Sequence, residues 1–324
     1  MSLHVYDFDM SKLFRWLRLL LVGSLALPAL PSCDGQRSTQ ALGSGGGRLR
    51  VLATVGMIGD IASRIAGSHA QVESLMGPGV DPHLYKPSFS DVRRIEEADL
   101  ILYNGLNLEG KMGDVLEKSS RKRRVLAVSR DIPKSELRTP PEFQGHHDPH
   151  IWFDVQLWSR IVDPIAGELA SLDPAHAQEF QRNAEALKAD LATFDAEVAR
   201  RIDTIPLEQR VLVTAHDAFG YFGRRYKIDV VGLQGISTSA EFTIRDVDRL
   251  VDVIVARKVK AVFVESSVPR RNIEAVQKAC EARGHAVVIG GELFSDAMGA
   301  AGTPEGTYRG MIEHNVNAIV KALQ

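Results

Sequence analysis

His83, His150, His216 and Asp296 stand in the short segments DPH, HDPH, TAHD and FSDAMG. Three imidazoles and one carboxylate form a complete ligand set for a divalent transition metal. Each segment falls just beyond a stretch that reads as a β-strand. The tripeptide DPH occurs twice, at Asp81–His83 and Asp148–His150. Proline before each imidazole stiffens the backbone and shortens the conformational search of the ligand. Asp81, Asp148 and Asp217 are candidate acceptors for the ring N–H groups. Glu241 and Glu265 are further carboxylates expected near the cleft, either in that role or in place of Asp296. A lone histidine in a loop is usually solvated or locally hydrogen-bonded, so the weight rests on the set. His146 and His147, in TPPEFQGHHDPH, are expected to be exposed, as at most a weak metal-capturing patch. His69, His176, His285 and His314 carry no motif and are assigned structural or surface roles, as is Cys280 in a helix. Phe294 and Met298 are assigned to packing. No residue is assigned a catalytic or organic-cofactor role.

The elements that must position these residues alternate in type. Strands are predicted at Leu49–Thr54, Gln71–Met76, Leu100–Tyr103 and Arg124–Val128, with helices at Ile58–Ile65, Ser90–Ala98 and Met112–Lys118. Val155–Leu172 reads as a helix bent at Pro164. A long helix follows from about Ala175 to Ile202, with Asp173 as cap and Pro174 at its first position. At 1.5 Å per residue it spans roughly 40 Å. A second half places strands at Arg210–Thr214, Asp229–Val231, Ala261–Glu265 and Ala286–Ile289. Its helices fall at Asp217–Tyr226, Ile244–Arg257, Asn272–Arg283 and Tyr308–Leu323. The fold class is therefore α/β: two lobes, each with a four-stranded parallel sheet, joined by one long backbone helix. The expected division is a signal segment 1–33, a tether 34–48, an N-terminal lobe 49–172, a connecting helix 173–205 and a C-terminal lobe 206–324. Sites in open α/β sheets form beyond the carboxyl ends of the strands. The four ligand-type residues then line one inter-lobe cleft, two from each lobe.

The chain has 324 residues, 44% apolar and 25% charged, with a net charge of −2. It is long enough for two ordinary domains, and no basic stripe points to nucleic acid. Its two cysteines, Cys33 and Cys280, exclude a cysteine-based zinc ribbon. Lys12, Arg15 and Arg18 precede an apolar run from Leu19 to Leu30, the pattern of an export signal. Leu30-Pro31-Ser32-Cys33 resembles a lipoprotein cleavage box, with Pro31 unusual in it, so Cys33 is expected to carry a lipid anchor. Cleavage as an ordinary signal peptide is the alternative, and Met10 is an alternative start. Asp34–Gly47 is rich in Gly and Ser and reads as a flexible tether. Localisation is thus expected in the periplasm or on the outer face of the cytoplasmic membrane.

Several long motifs, in order, resemble the metal-specific solute-binding lipoproteins of bacterial ABC transporters, the zinc/manganese group. They are VDPHLYKPSFSD (Val80–Asp91), HDPHIWFD (His147–Asp154), VTAHDAFGYFGRRY (Val213–Tyr226), GLQGISTSAEFT (Gly232–Thr243), VFVESSVP (Val262–Pro269) and GGELFSDAMG (Gly290–Gly299). The likeness runs from about Leu49 to the end of the chain. It implies two α/β lobes on a rigid helix and a metal held by His83, His150, His216 and Asp296. It also implies delivery to a membrane permease powered by a separate ATPase. The family has His or Glu at the third ligand, and here it is His216. The long His-rich loop of zinc importers is reduced to His146-His147. Imidazole donors and the Irving–Williams order favour Zn²⁺, with Mn²⁺ as the alternative. A monomeric binding protein without enzymatic activity is expected. The rivals are a zinc hydrolase, with Glu241 or Glu265 as base, and a surface adhesin with a structural metal.

Overall fold

The computed structural model describes residues 48–143 and 145–324. The expected signal segment, Cys33 and all of the tether but Arg48 lie outside the described residues. In the N-terminal lobe, β1 (Leu49–Ala53), β2 (Ala70–Ser74), β3 (Leu100–Tyr103) and β4 (Arg124–Ala127) form a parallel sheet in the order β2-β1-β3-β4. Helices α1 (Gly56–Ala66), α2 (Phe89–Glu97) and α3 (Gly113–Ser120) make the crossovers. β3 is apolar along its length because helices cover a parallel sheet on both faces. α2 starts at Ser88, whose hydroxyl and the Asp91 carboxylate form a reciprocal capping box.

The expected helix Val155–Leu172 is broken. α4 (Val155–Trp158) leads into a 3₁₀ turn, Ser159–Ile161, and then α5 (Val162–Leu172). Pro164 has no N–H to give, and its ring would strike the carbonyl of Arg160, so the ladder is interrupted a turn before the proline. The connecting helix α6 (Ala177–Ile202) has 26 residues and follows a 3₁₀ turn, Pro174–His176. Asp173 does not cap this start through its side chain; its carboxylate accepts from His176 Nδ1 at 2.6 Å. Phe180, Ala184, Leu187, Leu191, Phe194, Val198 and Ile202 form the buried stripe of α6 at helical spacing. Asp195, also on that face, accepts from Tyr226 Oη at 2.9 Å and from Arg225.

The C-terminal lobe contains β5 (Val211–His216), α7 (Gly220–Tyr226), β6 (Asp229–Gln234), α8 (Ile244–Ala256), β7 (Ala261–Glu265), α9 (Arg271–Ala282), β8 (Val288–Leu293) and α10 (Tyr308–Leu323). Its four strands form two parallel ladders, β5-β6 and β7-β8, with β5 beside β7. At the carboxyl end of β5, the His216 N–H donates to the Glu265 side chain at 2.8 Å.

One apolar core runs from the N-terminal sheet through α5 and α6 to α7 and α10, while a second lies around β5, β7, α8 and α9. The lobes meet through aromatic side chains. Phe153 and Phe219 have ring centroids 4.2 Å apart, and Tyr308 Oη donates to the Trp152 carbonyl at 2.7 Å. Each fully buried aromatic of this kind contributes about 1.5–3 kcal/mol that would be lost on exposure. Among the described residues no helix is long and apolar enough to cross a membrane.

Candidate metal centre

His83 lies in the loop after β2, His150 just before the 3₁₀ turn Ile151–Phe153, His216 at the last position of β5 and Asp296 in the loop after β8. The structure brings these four side chains together, with ligand atoms all within 4.8 Å of one another, and all four are buried. His150 Nε2 lies 3.3 Å from His83 Nε2 and 3.3 Å from Asp296 Oδ1. Asp296 Oδ2 lies 3.3 Å from His216 Nε2 and 3.7 Å from His83 Nε2. Donors placed ~2.0–2.1 Å from a tetrahedral zinc would lie about 3.3 Å apart.

The local sequence explains how each side chain is aimed. Both DPH segments fold into the same turn, in which the aspartate carboxylate accepts the backbone N–H of the histidine two residues on. The distances are 2.8 Å for Asp81 to His83 and 3.0 Å for Asp148 to His150. Asp148 also takes the His150 ring, at 2.8 Å from Nδ1. Asp81 does not take the His83 ring; its second oxygen accepts from Thr238 Oγ1 of the other lobe at 2.5 Å. Asp148 is held in turn by Arg138 at 2.5 Å, and its carbonyl accepts from Tyr221 Oη at 2.9 Å. Asn104 Nδ2, at the end of β3, donates to the Pro149 carbonyl at 2.9 Å and fixes the segment from below.

Asp217 is not the partner of His216. Glu265, at the end of β7, lies 2.5 Å from His216 Nδ1. Asp217 instead lines a cavity of about 440 Å³ with Glu142 and Glu241, away from the ligand atoms. β6 approaches the end of β5 so closely at Gly232 that a Cβ there would lie 2.6 Å from the Asp217 nitrogen. Asp296 is steadied by its neighbours: Trp152 Nε1 donates to the Ser295 carbonyl at 3.0 Å, and Asn315 brackets Phe294 through both backbone groups. Neither contact was signalled by motif or spacing.

His146 is exposed and His147 half-buried; they pair with Asn107 and Thr139 and stand outside the cluster. A second group, His69, Asp173 and His176, also has ligand-type atoms within 4.8 Å of one another. Its two imidazoles stack with centroids 3.8 Å apart. His69 Nε2 also lies 3.0 Å from Glu179, and His176 Nδ1 is taken by Asp173 at 2.6 Å, so both rings have carboxylate partners on and beside α6. His285 and His314 contact the carbonyls of Val259 and Glu292, and Cys280 is buried in the second core.

Electrostatics divides the imidazoles. Burial pushes His83 down to about 3, against the pull of Asp296. Burial opposes charge on His150 as well, but the Asp148 and Asp296 carboxylates outweigh it and raise the ring to about 9. His216 behaves likewise: burial is outweighed by Glu265 and Asp296, and its pKa stands well above the usual value. Burial alone would raise Asp296, yet the His216 and His150 rings hold it well below the carboxylate range. His216 Nε2 and both Asp296 oxygens are buried without a hydrogen-bond partner. Unpartnered buried polar atoms are costly, and here all three face one point. A cation at that point would satisfy them together. Glu265→Gln keeps the bulk of the His216 partner and removes its charge. It should weaken cation affinity by about 10–100-fold, read by competitive titration.

A family model described as the periplasmic zinc-uptake complex component A matches residues 51–322. The manganese-binding lipoprotein MntA of Bacillus subtilis is 50% identical over 277 residues, covering 86% of this chain and 90% of the relative. The zinc-binding protein TroA of Treponema pallidum is also 50% identical over 277 residues, covering 86% and 89%. The solved structure of the periplasmic zinc-binding TroA superposes with a TM-score of 0.83, covering 86% of this chain and 99% of that one. By both the family model and these relatives, the chain belongs to the family of the zinc-uptake complex component A.

Proposed function

We propose that this chain captures a divalent transition metal outside the cytoplasm and hands it to an ABC permease powered by a separate ATPase. The metal is cargo, held by His83, His150, His216 and Asp296. One observation carries the reading: four buried ligand-type side chains from both lobes converge, leaving three polar atoms with no partner but each other's neighbourhood. Names of half-identical relatives, one a manganese-binding lipoprotein and one a zinc-binding protein, support the class of cargo. An anchor on Cys33, a monomeric state and lobes divided at 49–172 and 206–324 complete the proposal. A hydrolase is disfavoured because Glu265, its best-placed base, is engaged by His216, and because Asp296 fills the position a water would need.

Zinc is the first choice, on the three imidazole nitrogens and the 3.3 Å donor spacings. One observation favours manganese as the second. Both Asp296 oxygens face the cluster, so bidentate binding would give three nitrogens and two oxygens, a harder donor set. Elemental analysis of protein purified without added metal, followed by Zn²⁺ against Mn²⁺ competition, decides between them. Protein that takes up neither ion would end the proposal.

The lobes should move little as cargo binds. The stiff α6 and the aromatic packing of Phe153 on Phe219 oppose a wide hinge. Small-angle scattering should show a change in radius of gyration of no more than a few per cent between metal-free and loaded protein. A large compaction would contradict it.

A further inference from the structure

The imidazoles of the cluster are not held alike. His150 Nδ1 lies 2.8 Å from Asp148 Oδ1 and His216 Nδ1 lies 2.5 Å from Glu265 Oε2. Each of these rings is fixed by a carboxylate of its own lobe. Among the described residues no carboxylate pairs with Nδ1 of His83; its ion-pair contact is through Nε2, to Asp296. What seats His83 is its backbone. Asp81 Oδ1 accepts the His83 N–H at 2.8 Å, and Asp81 Oδ2 accepts from Thr238 Oγ1 at 2.5 Å. Thr238 is 157 residues away, in the loop that follows β6. That loop is braced: Gln234 Nε2 donates to the Thr238 carbonyl at 3.0 Å and to the Ala240 carbonyl at 2.7 Å. On the other side, the His83 segment enters through Gly77-Pro78-Gly79, where Gly79 has φ +70°, a conformation suited to glycine. The cross-lobe bonds beside His150 and Asp296 end on backbone carbonyls, from Tyr221 to Asp148 and from Trp152 to Ser295. At His83 the seating carboxylate itself is held from the opposite lobe, through one hydroxyl.

Resting on the metal-binding reading above, we propose that Thr238 is a positioning residue that seats His83 from across the cleft, and that its hydrogen bond to Asp81 sets the rate of metal release. Separation of the lobes breaks this bond and frees the Asp81 carboxylate that seats His83. The His83 segment is then free to swing, while His150 and His216 keep their own carboxylates. Release begins at His83, and any partner that disturbs the Thr238 loop triggers it. Thr238 touches no metal; it acts only through Asp81.

The test is stopped-flow release of zinc from the full chain into excess chromogenic chelator, with association measured separately. Thr238→Val keeps the shape and removes the hydroxyl. Release should speed up by roughly 10–100-fold, the factor corresponding to one hydrogen bond to a charged acceptor. Association should be unchanged, and Thr238→Ser should restore slow release. Asp81→Ala should release fast by itself, and adding Thr238→Val to it should bring no further change, since coupled residues are not additive. Thr238→Val releasing at the wild-type rate overturns the proposal, as does equal acceleration with and without Asp81. If Thr238→Val does not fold, Gln234→Ala takes its place: faster release supports the role and a wild-type rate refutes it. A wild-type chain that holds neither zinc nor manganese sinks the metal-binding reading and this inference with it; one that holds manganese alone is put through the same comparison with Mn²⁺ as the released ion. A wild type that binds zinc beside an unaffected Thr238→Val sinks this inference alone.

Discussion

Asp296→Ala protein should bind zinc at least about a thousandfold more weakly than the wild type while remaining folded, about 4 kcal/mol of lost binding. Asp296 supplies the cluster's only anionic donor, and both its oxygens face the other three ligands at 3.3–3.7 Å. Removing it leaves three neutral nitrogens that cannot balance the charge of a divalent ion in a buried site. The cost to the metal-free fold is smaller. His150 keeps Asp148 and His216 keeps Glu265, so neither ring is stranded. The loss should be about 1–3 kcal/mol, the usual penalty for one disrupted buried polar contact. Competitive titration and thermal unfolding of the metal-free protein, run side by side, separate the two effects. A carrier gives a large loss of affinity with a modest fall in Tm. A protein whose metal is structural would unfold when Asp296 is replaced or the metal is withdrawn. A hydrolase would gain an open coordination position and retain or increase turnover in Asp296→Ala. Asp296→Asn, with one carbonyl oxygen and no charge, should fall between alanine and wild type.

The sequence made the alternation of elements legible for a local reason. Short apolar runs such as Leu100–Tyr103 and Ala261–Glu265 are strands with the expected limits, because a parallel strand buried on both faces must be apolar along nearly all its length. α10 likewise has the expected limits, Tyr308–Leu323. What was hidden depended on neighbours far along the chain. Asp217 was the natural partner for His216 by adjacency, but successive residues at a strand end point to opposite sides. Glu265, at the end of the strand beside it, reaches the ring instead. Glu265, the acid closing the apolar run VFVE at that sheet edge, was already expected near the cleft as a ring partner; which ring it serves depended on the fold. Asp81 and Asp148 were alike in sequence and differ in space, because only Asp148 is followed by a ring that turns back onto its carboxylate. The break before Pro164 was readable as a defect; its displacement by one turn follows from which carbonyl the proline ring meets.

Metal affinity should depend on pH well above the ordinary range of histidine. A free imidazole near 6.5 would compete with metal only below that pH. Here the carboxylates around His150 raise it to about 9, and His216 is also raised well above its usual value. A metal needs both rings neutral, so below pH 9 each binding event must expel a proton from at least His150. Affinity should therefore fall as pH falls from about 9, by roughly tenfold per unit for each proton displaced. His83, pushed down to about 3, contributes nothing to that slope. The same shift acts on the metal-free fold with the opposite sign. A ring whose folded pKa is raised stabilises the protein fully below its unfolded value near 6.5, and that contribution is lost as pH rises through about 9. Acid thus favours the empty protein and alkali the loaded one. Calorimetry at pH 7 in buffers of different ionisation enthalpy should report release of one to two protons per metal bound. Zero protons released, or an affinity flat between pH 7 and 9, would show that the carboxylates do not hold these rings in the charged form. In Glu265→Gln, where His216 loses its charged partner, the number released at pH 7 should drop towards one.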